Sequence, residues 1–264
     1  MLANPGYGSP RVAIALEINE KRAARVMRKY GLKPARRSST PQKPADKGRE
    51  AMPHQNILST LSPITPNLVW VSDFTFISFK GLFIYLCTVL DLFSGEVLGF
   101  NISRRHDASF VRLAVNRAIQ KCGTLPVWFH SDQGSEYASA EVSEWLEKKG
   151  VTISMNPKGS PWCNGSQESF FGRFKVEFGD FERFATLADL LEALYEQLHY
   201  FSNIRIKTKL KMAPAAFRAS WNERQEELST AFHSNPQVMS LPFRDAGHRY
   251  PLPPLQGGEE ATTN

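Results

Sequence analysis

Three acidic residues lie within an apolar segment, directly after one, or near a predicted helix start, where their carboxylates are not expected simply to face solvent. Asp73 lies inside the apolar run WVSDFTF, Asp132 follows the run VWFH, and Glu168 comes near the start of a helical pattern. An unpaired carboxylate in a protein interior is costly, so Asp73 needs a basic partner or a cation beside it. Gathered carboxylates repel one another unless hard divalent cations, magnesium or manganese, bind between them. Such a cluster suits chemistry on phosphate groups, because these ions keep coordination positions for phosphate oxygens.

Each of these acids also has a purely structural interpretation. Asp73 can pair with an arginine, and Asp132 can be a turn residue in Ser-Asp-Gln-Gly, since Asp and Gly favour turns. Glu168 can interact favourably with the dipole at the start of its helix. These interpretations are harder to sustain together than singly. We therefore expect the three acids to converge, which requires elements that carry distant parts of the chain to one place.

Five strands are predicted after Leu68. The first alternates in polarity, the second is continuously apolar as in a strand buried on both faces, and the third follows a turn at Ser94-Gly95. In order, their sequences are LVWVSDFTFIS, LFIYLCTVLD, EVLGFNI, PVWFH and VTISM.

Helices are predicted between and after the strands. Asp107 is expected to cap ASFVRLAVNRAIQKC, Ser139 to cap AEVSEWLEKK, and Thr186 to open LADLLEALYEQLHYFS, with Asp189 as its reciprocal cap. The resulting order, β-β-β-α-β-α-β-α-α, is that of the ribonuclease H fold. The predicted class is therefore α/β, with a mixed five-stranded sheet flanked by helices and preceded by a small helical segment.

Positive charge is concentrated near the N-terminus. The chain has a net charge of +6, but residues 21–49 hold eleven Lys or Arg and a single acid. Two short helices are predicted there, one opened by Ser9-Pro10 and one capped by Asn19, with Ala24, Val26 and Met27 as the apolar side of the second. This pattern is typical of a helix-turn-helix, although a basic amphipathic helix packed on any domain shows it too. The candidate DNA contacts of the second helix are Arg22, Arg25, Arg28 and Lys29.

Composition divides the chain into four parts. They are a helix-turn-helix segment (1–32), a basic linker rich in Pro and Ser (33–66), the α/β core (67–220) and a C-terminal extension (221–264) whose tail is predicted to be disordered. The sequence has neither a long apolar run nor a signal-peptide pattern, so we expect no membrane partner and a cytoplasmic location. Three widely separated cysteines predict neither a disulfide framework nor a zinc finger.

The 35 residues between Asp132 and Glu168 match the spacing common to the last two acids of DDE transposases and retroviral-type integrases. The chain resembles this superfamily, and most closely the OrfB-type transposases of bacterial insertion sequences. It departs from them at Gln133, where Arg is common, at Lys207, where His is common, and at Cys163-Asn164-Gly165, where Asp-Asn-Ala is common. The motifs that carry the resemblance are WVSDFTF, LDLFSGEVLGF, HSDQGSEY, SPWCNGSQESFFGRFKVEF and NIRIKTKLKMAPAAF, preceded by GYGSPRVAIALEINEKRAARVMRKYGLKP.

The resemblance implies metal-dependent cleavage of DNA at the ends of an element, followed by strand transfer into target DNA. Asp73, Asp132 and Glu168 would hold two divalent cations, and His130 and Asn164 would stand behind these ligands and orient them. The implied partner is DNA in the bacterial nucleoid, bound by a homo-oligomer. Two alternatives remain open: a catalytically idle DNA-binding repressor descended from a transposase, and a ribonuclease H-like nuclease that cuts without joining.

Further basic residues lie near the predicted site. Lys175 shares a helical face with Glu168 and is a candidate phosphate contact, or else a solvated lysine. Alternating cations later in the chain lie on one side if that segment is extended, where they contact DNA or simply form a soluble rim. This second group comprises Arg205, Lys207, Lys209 and Lys211.

Overall fold

The computed structural model describes residues 4–35, 54, 56–59, 61–156 and 165–234, with side chains described as far as residue 230. The strands are Val69–Phe79 (β1), Leu82–Asp91 (β2), Val97–Ser103 (β3), Trp128–Ser131 (β4) and Thr152–Met155 (β5). The helices are Ser9–Ala15 (α1), Glu20–Lys29 (α2), Ala108–Cys122 (α3), Ala140–Glu147 (α4), Gly165–Phe178 (α5), Leu187–His199 (α6) and Pro214–Ser234 (α7). One compact unit runs as far as Asn222, and a second begins at Glu223, within α7. All sites described below lie in the first unit.

The strands form one five-stranded sheet in the order β3-β2-β1-β4-β5. The pairs β1–β2 and β2–β3 are antiparallel, whereas β1–β4 and β4–β5 are parallel. The last β1–β4 pair joins Val71 to His130, so β1 continues past the end of β4. Asp73 and Asp132 each lie two residues beyond that pair, at the point where the two strands part. The predicted mixed sheet is confirmed, and its topology brings the first two acids to one place.

Helices cover both faces of the sheet. On one face Trp70, Val89 and Phe129 belong to an apolar cluster that includes buried residues of α3 and α4. On the other face Val71, Phe174 and Leu194 belong to a cluster that includes buried residues of α5 and α6. Because the first half of β1 contributes to both clusters, its first four residues are buried whichever face they point to.

Helix ends follow the predicted capping chemistry, with one exception. Asn19 accepts a hydrogen bond from the Lys21 N–H, Asp107 accepts one from the Phe110 N–H, and Thr186 and Asp189 form a reciprocal capping box. The expectation that Ser9 caps α1 is wrong: Ser9 is already helical and Gly8 takes the cap position without a side-chain bond.

The apolar side of α2 also differs from the prediction. Ala23 and Met27 are buried, whereas Val26 is 42% exposed. Residues four apart share one helix face, so Ala23 and Met27 point together towards α1 while Val26 is turned away from it. No described helix is both long enough and apolar enough to cross a bilayer.

The N-terminal segment packs directly on the α/β core. The Tyr7 hydroxyl accepts a hydrogen bond from the Ile206 N–H at 2.8 Å, and the Tyr200 hydroxyl donates to Asn4 Oδ1 at 2.9 Å. Arg11 Nε donates to the Ile206 carbonyl at 2.8 Å. Residues 4–11 therefore form part of the surface beside α5 and the segment that follows α6.

The end of the predicted linker packs on the core as well. The Ile57 N–H donates to Ser154 Oγ at 3.1 Å, and Leu58 and Leu61 pack against the cluster under α5 and α6. Linker residues 36–53 and the predicted disordered tail lie outside the described residues.

Candidate active site

The three acids come from three separate elements. Asp73 lies within β1, where its Oδ1 accepts a hydrogen bond from the Phe74 N–H at 2.8 Å. Asp132 is the first residue after β4, and its Oδ1 accepts from the Gly134 N–H at 3.0 Å. Glu168 lies in the first turn of α5. Strand pairing places the first two acids near each other, and the docking of α5 on the sheet decides where the third one points.

Electrostatic interactions link these side chains. Burial raises the pKa of Asp73 to about 7, and the Asp132 charge adds to the rise, with a smaller contribution from Glu168. Burial also raises the pKa of Asp132. Asp73 thus feels the charges of both other acids, as expected of carboxylates that share a site.

The oxygen donors suit a hard divalent cation, which would offset the repulsion that raises the pKa of Asp73. In this structure, however, the described residues contain no group of three or more His, Cys, Asp or Glu side chains arranged to hold a metal ion together. The acids are therefore electrostatically coupled without being drawn together around a common point.

Gln167 joins the start of α5 to the strand that carries Asp73. Its Nε2 donates to the Val71 carbonyl at 2.8 Å and to the Thr88 carbonyl at 3.4 Å, and its Oε1 accepts from the Thr88 hydroxyl at 3.2 Å. Thr88 is the cross-strand partner of Asp73. Gln167 is completely buried, and it fixes the helix turn from which Glu168 projects. Sequence reasoning missed it; the available signal was a polar residue on the helix face that also carries Phe171 and Phe174.

Gln167→Ala should lower the free energy of unfolding by about 2 kcal/mol, since it leaves buried carbonyl groups without their donor. It should also reduce strand transfer, because Glu168 loses the contact that sets its distance from Asp73. Chemical denaturation and an assay of joined DNA products measure the two effects. The control is Gln197→Ala, which removes the same kind of side chain from α6, a helix that carries none of the three acids. Equal losses of transfer in both variants would contradict the positioning role.

His130 is held away from solvent by β5 and the residue after it. Its Nδ1 lies 2.8 Å from Ser154 Oγ, and its Nε2 lies 3.0 Å from Asn156 Oδ1. Burial lowers the pKa of His130 to about 4, so the ring is neutral at pH 7. Both ring nitrogens thus have partners in or just beyond β5. Asn164, the other residue predicted to orient the ligands, lies outside the described residues.

A fourth carboxylate lies close to Asp132. Asp132 Oδ1 and Glu136 Oε2 lie 3.1 and 3.2 Å from the position that a Cβ on Gly134 would occupy. Glu136 Oε1 is 2.5 Å from His106 Nδ1, and the His106 ring packs against Tyr85 with 4.2 Å between ring centroids. Although burial acts to raise it, hydrogen bonds from its own backbone N–H and from His106 lower the pKa of Glu136. Sequence reasoning did not single out the pair of His106 and Glu136, which are 30 residues apart.

The predicted DNA contacts fall into exposed and internally paired residues. Lys175 Nζ donates to the Phe76 carbonyl at 3.0 Å and lies 5.1 Å from the Phe76 ring centroid. Arg205 is 3% exposed and pairs through both Nε and Nη2 with Glu177. The segment after it is not extended, since Lys207 and Met212 form a bridge that closes a turn between them. The exposed members are Arg22, Arg25, Arg28, Lys29, Lys209 and Lys211.

Comparison with known sequences places these features in a family. The integrase core domain family matches residues 64–161 and again residues 168–220. A transposase-like protein of Haemophilus influenzae is 30% identical over 206 residues, which cover 77% of this chain and 94% of that protein. The protein described as transposase InsK of insertion sequence element IS150 in Escherichia coli K12 is 32% identical over 221 residues, which cover 80% of this chain and 77% of that protein.

Solved structures agree with the fold. The HTLV-2 integrase catalytic core domain in complex with magnesium matches 60% of this chain and 99% of that one, with a TM-score of 0.50 and 20% identity. A chain of the simian T-cell lymphotropic virus intasome in complex with PP2A regulatory subunit B56 gamma is matched over 96% of this chain and 76% of that one, with a TM-score of 0.55 and 19% identity. The predicted ribonuclease H-like class is thereby confirmed. Together with the sequence relatives, these findings show that the chain belongs to the DDE transposases of the OrfB type, the insertion-sequence enzymes whose catalytic domain is an integrase core.

Proposed function

We propose that this transposase cuts DNA at the ends of its insertion sequence and joins the freed ends to target DNA, using Asp73, Asp132 and Glu168 as metal ligands. The observation that carries the assignment is that Asp73 and Asp132 lie where β1 and β4 part, while Gln167 docks the start of α5, which carries Glu168, on β1. A structural role for Asp73 would need a basic partner, and its described hydrogen bond is instead to the Phe74 N–H. The names of the sequence relatives support DNA as the substrate.

The proposed metal set consists of two divalent cations, magnesium or manganese. Asp73, Asp132 and Glu168 would hold these ions, and Asp73 is the acid whose pKa the charges of both others raise. Bound metal would supply Lewis acidity to the attacking and leaving oxygens of an in-line displacement at phosphorus. Gln167 ties the first turn of α5, which carries Glu168, to β1, which carries Asp73.

The reaction consists of two displacements at phosphorus. In the first, a water oxygen bonds to the phosphorus at an element end and the bond to the 3′-oxygen breaks, which leaves a 3′-hydroxyl. In the second, the oxygen of that hydroxyl bonds to a target phosphorus and the bond from this phosphorus to the target's own 3′-oxygen breaks, which joins the element's 3′ end to the target strand and leaves a free 3′-hydroxyl on the target. Backbone N–H groups orient one carboxylate oxygen of Asp73 and one of Asp132. The protein's own side chains form no covalent bond to DNA.

Incubation of the chain with a duplex carrying the terminal DNA of its element and a target plasmid should yield joined products with magnesium and none with EDTA. A nuclease that does not join would give cut DNA alone, and an idle repressor would bind the duplex and give neither product. Either result would overturn the proposed function. The exposed basic face of α2 is the proposed contact to the element end. We expect strand transfer to take place on the nucleoid and to be carried out by an assembly of several copies of the chain.

A further inference from the structure

A pocket of about 630 Å³ lies on the side of α5 that faces away from the sheet. Glu168, Gly172 and Arg173 line it from α5, and Gly6 and Arg11 line it from the N-terminal segment. Arg205 and its partner Glu177 also reach the pocket. The pocket therefore begins at one of the proposed metal ligands and extends under the helix-turn-helix segment.

Cations outnumber the anions that neutralise them in this pocket. Glu177 is engaged by Arg205, at 2.8 Å from Nε. Among the described residues, Arg11 donates to two neutral carbonyls, those of Gly6 at 3.1 Å and Ile206 at 2.8 Å. Arg173 is exposed, and no described residue gives it a hydrogen bond or an ion-pair partner. Glu168 stands at the other edge of the pocket and is assigned to metal, so the guanidinium groups are left with excess positive charge.

The pKa values of neighbouring groups agree with this excess. Burial lowers the pKa of Lys207 to about 8, and the charges of Arg173 and Arg205 lower it further. Burial also lowers the pKa of Arg11, again with contributions from Arg205 and Arg173. Each cation thus raises the energetic cost of the others, and an anion that entered the pocket would relieve all of them at once.

The wall formed by the N-terminal segment is closely fitted. A Cβ on Gly6 would lie 2.0 Å from Glu177 Oε1, whereas a Cβ on Gly8 would meet nothing nearer than 3.7 Å. A side chain at residue 6 would therefore displace the Glu177 carboxylate from its place beside Arg205. The close packing of the N-terminal segment places Arg11 beside the outer side of α5, where it lines the same pocket as Arg173.

The spacing along α5 relates the pocket to the acids. Arg173 follows Glu168 by five residues, which corresponds to about 7.5 Å along the helix axis. One DNA strand can therefore reach both residues. Guanidinium groups bind phosphate through paired, charge-assisted hydrogen bonds, and such contacts fix the register of DNA on a protein without reading its sequence.

We propose that this pocket binds a backbone phosphate of the DNA strand next to the phosphodiester that Glu168 faces, with Arg173 as the contact and Arg11 as the opposite wall. The inference rests on the proposed function only in taking DNA as the substrate. It makes the helix-turn-helix segment part of the strand-positioning surface, in addition to any role of α2 in recognising the element end. Loss of Arg173 should therefore weaken DNA binding even when no reaction takes place.

The test compares Arg173→Gln with Arg112→Gln in EDTA, where no turnover occurs. Arg112 lies on α3, on the opposite face of the sheet, where it pairs with Glu141, so both variants lose one charge. For a duplex carrying the terminal DNA of the element, Arg173→Gln should weaken binding about tenfold and reduce the slope of log Kd against log salt by about 0.9. Arg173→Lys should retain most of the slope, and Arg112→Gln should retain all of it.

Two results would overturn the inference. One is a salt slope that Arg173→Gln leaves unchanged. The other is an equal loss in Arg112→Gln, which would reveal a general effect of net charge. A further measurement titrates inorganic phosphate into the chain without DNA: binding that depends on Arg173, combined with an unchanged DNA slope, would assign the pocket to a free anion and refute the DNA contact. Since none of these measurements requires cleavage, the inference can fail while strand transfer is observed, and the reverse also holds.

Discussion

Asp132→Asn should lower magnesium-dependent strand transfer by more than about a hundredfold. Loss of a residue that only orients a metal ligand already costs up to about a hundredfold, and loss of a ligand itself should cost more. The amide keeps the size of the side chain and its Oδ1 acceptor, so the hydrogen bond from the Gly134 N–H is retained. What it loses is the charge that binds a divalent cation. Quantification of joined products under magnesium, with DNA affinity measured on the same preparation, separates this loss from a loss of binding.

The matched control for this substitution is Asp180→Asn. Asp180 is exposed and accepts a hydrogen bond from the Glu182 N–H at 2.9 Å, a bond that Asn also makes. The Asp180→Asn variant should transfer strands at the wild-type rate. Asp73→Asn should lose strand transfer as Asp132→Asn does. Full strand transfer by Asp132→Asn would remove this residue from the site and, with it, the shared cluster of acids. Removing one charge also relieves repulsion on Asp73, so the variant should unfold at a temperature no lower than the wild type.

Gly99→Ala should lower the free energy of unfolding by about 3 kcal/mol, the upper end for an overpacked core. Gly99 lies in β3, directly under α3, and a Cβ there would lie 2.2 Å from the Ala114 carbonyl oxygen and 2.5 Å from the Ala118 nitrogen. Both are backbone atoms of the helix, which cannot rotate aside as the end of a side chain does. Relief requires α3 as a whole to move away from the sheet.

Urea denaturation followed by circular dichroism measures this change as a lower midpoint. Gly8→Ala serves as the control, because the nearest atom to its added Cβ is Pro10 Cδ at 3.7 Å. We expect the control to unfold within about 0.5 kcal/mol of the wild type, as substitutions away from close contacts do. A Gly99→Ala protein with an unchanged midpoint would show that α3 is free to shift, contrary to its tight packing here.

Local signals in the sequence were sufficient for most of the fold. Side-chain caps such as Asn19 and Asp107 act on donors two or three residues away, so the sequence alone displays both partners. The strands were equally readable, because alternation in β1 and the apolar run of β2 reflect how many faces each strand buries. The same reasoning predicts the acidic site residues, since Asp73 interrupts an apolar strand and Asp132 follows another.

Contacts between distant residues could not be predicted in this way. Gln167 and Thr88 are 79 residues apart, and Arg205 and Glu177 are 28 apart. The cations at alternate positions from Arg205 to Lys211 predict an exposed Arg205 at a DNA contact or a soluble rim, but in the fold a buried carboxylate on α5 pairs with it. The packing of residues 4–11 on the core was missed for the same reason, since the partners of Tyr7 and Arg11 lie almost two hundred residues later, at Ile206.

The close packing of Gly6 against Glu177 limits how the N-terminal helices of such enzymes can be exchanged. A chimera that receives the first two helices of another transposase, so as to redirect it to other element termini, would also replace a surface that touches α5. A donor segment that places a side chain at the position of Gly6 would displace the Glu177 carboxylate, which pairs with Arg205. Retargeting by segment swapping should therefore work best with donor segments that have glycine at this position.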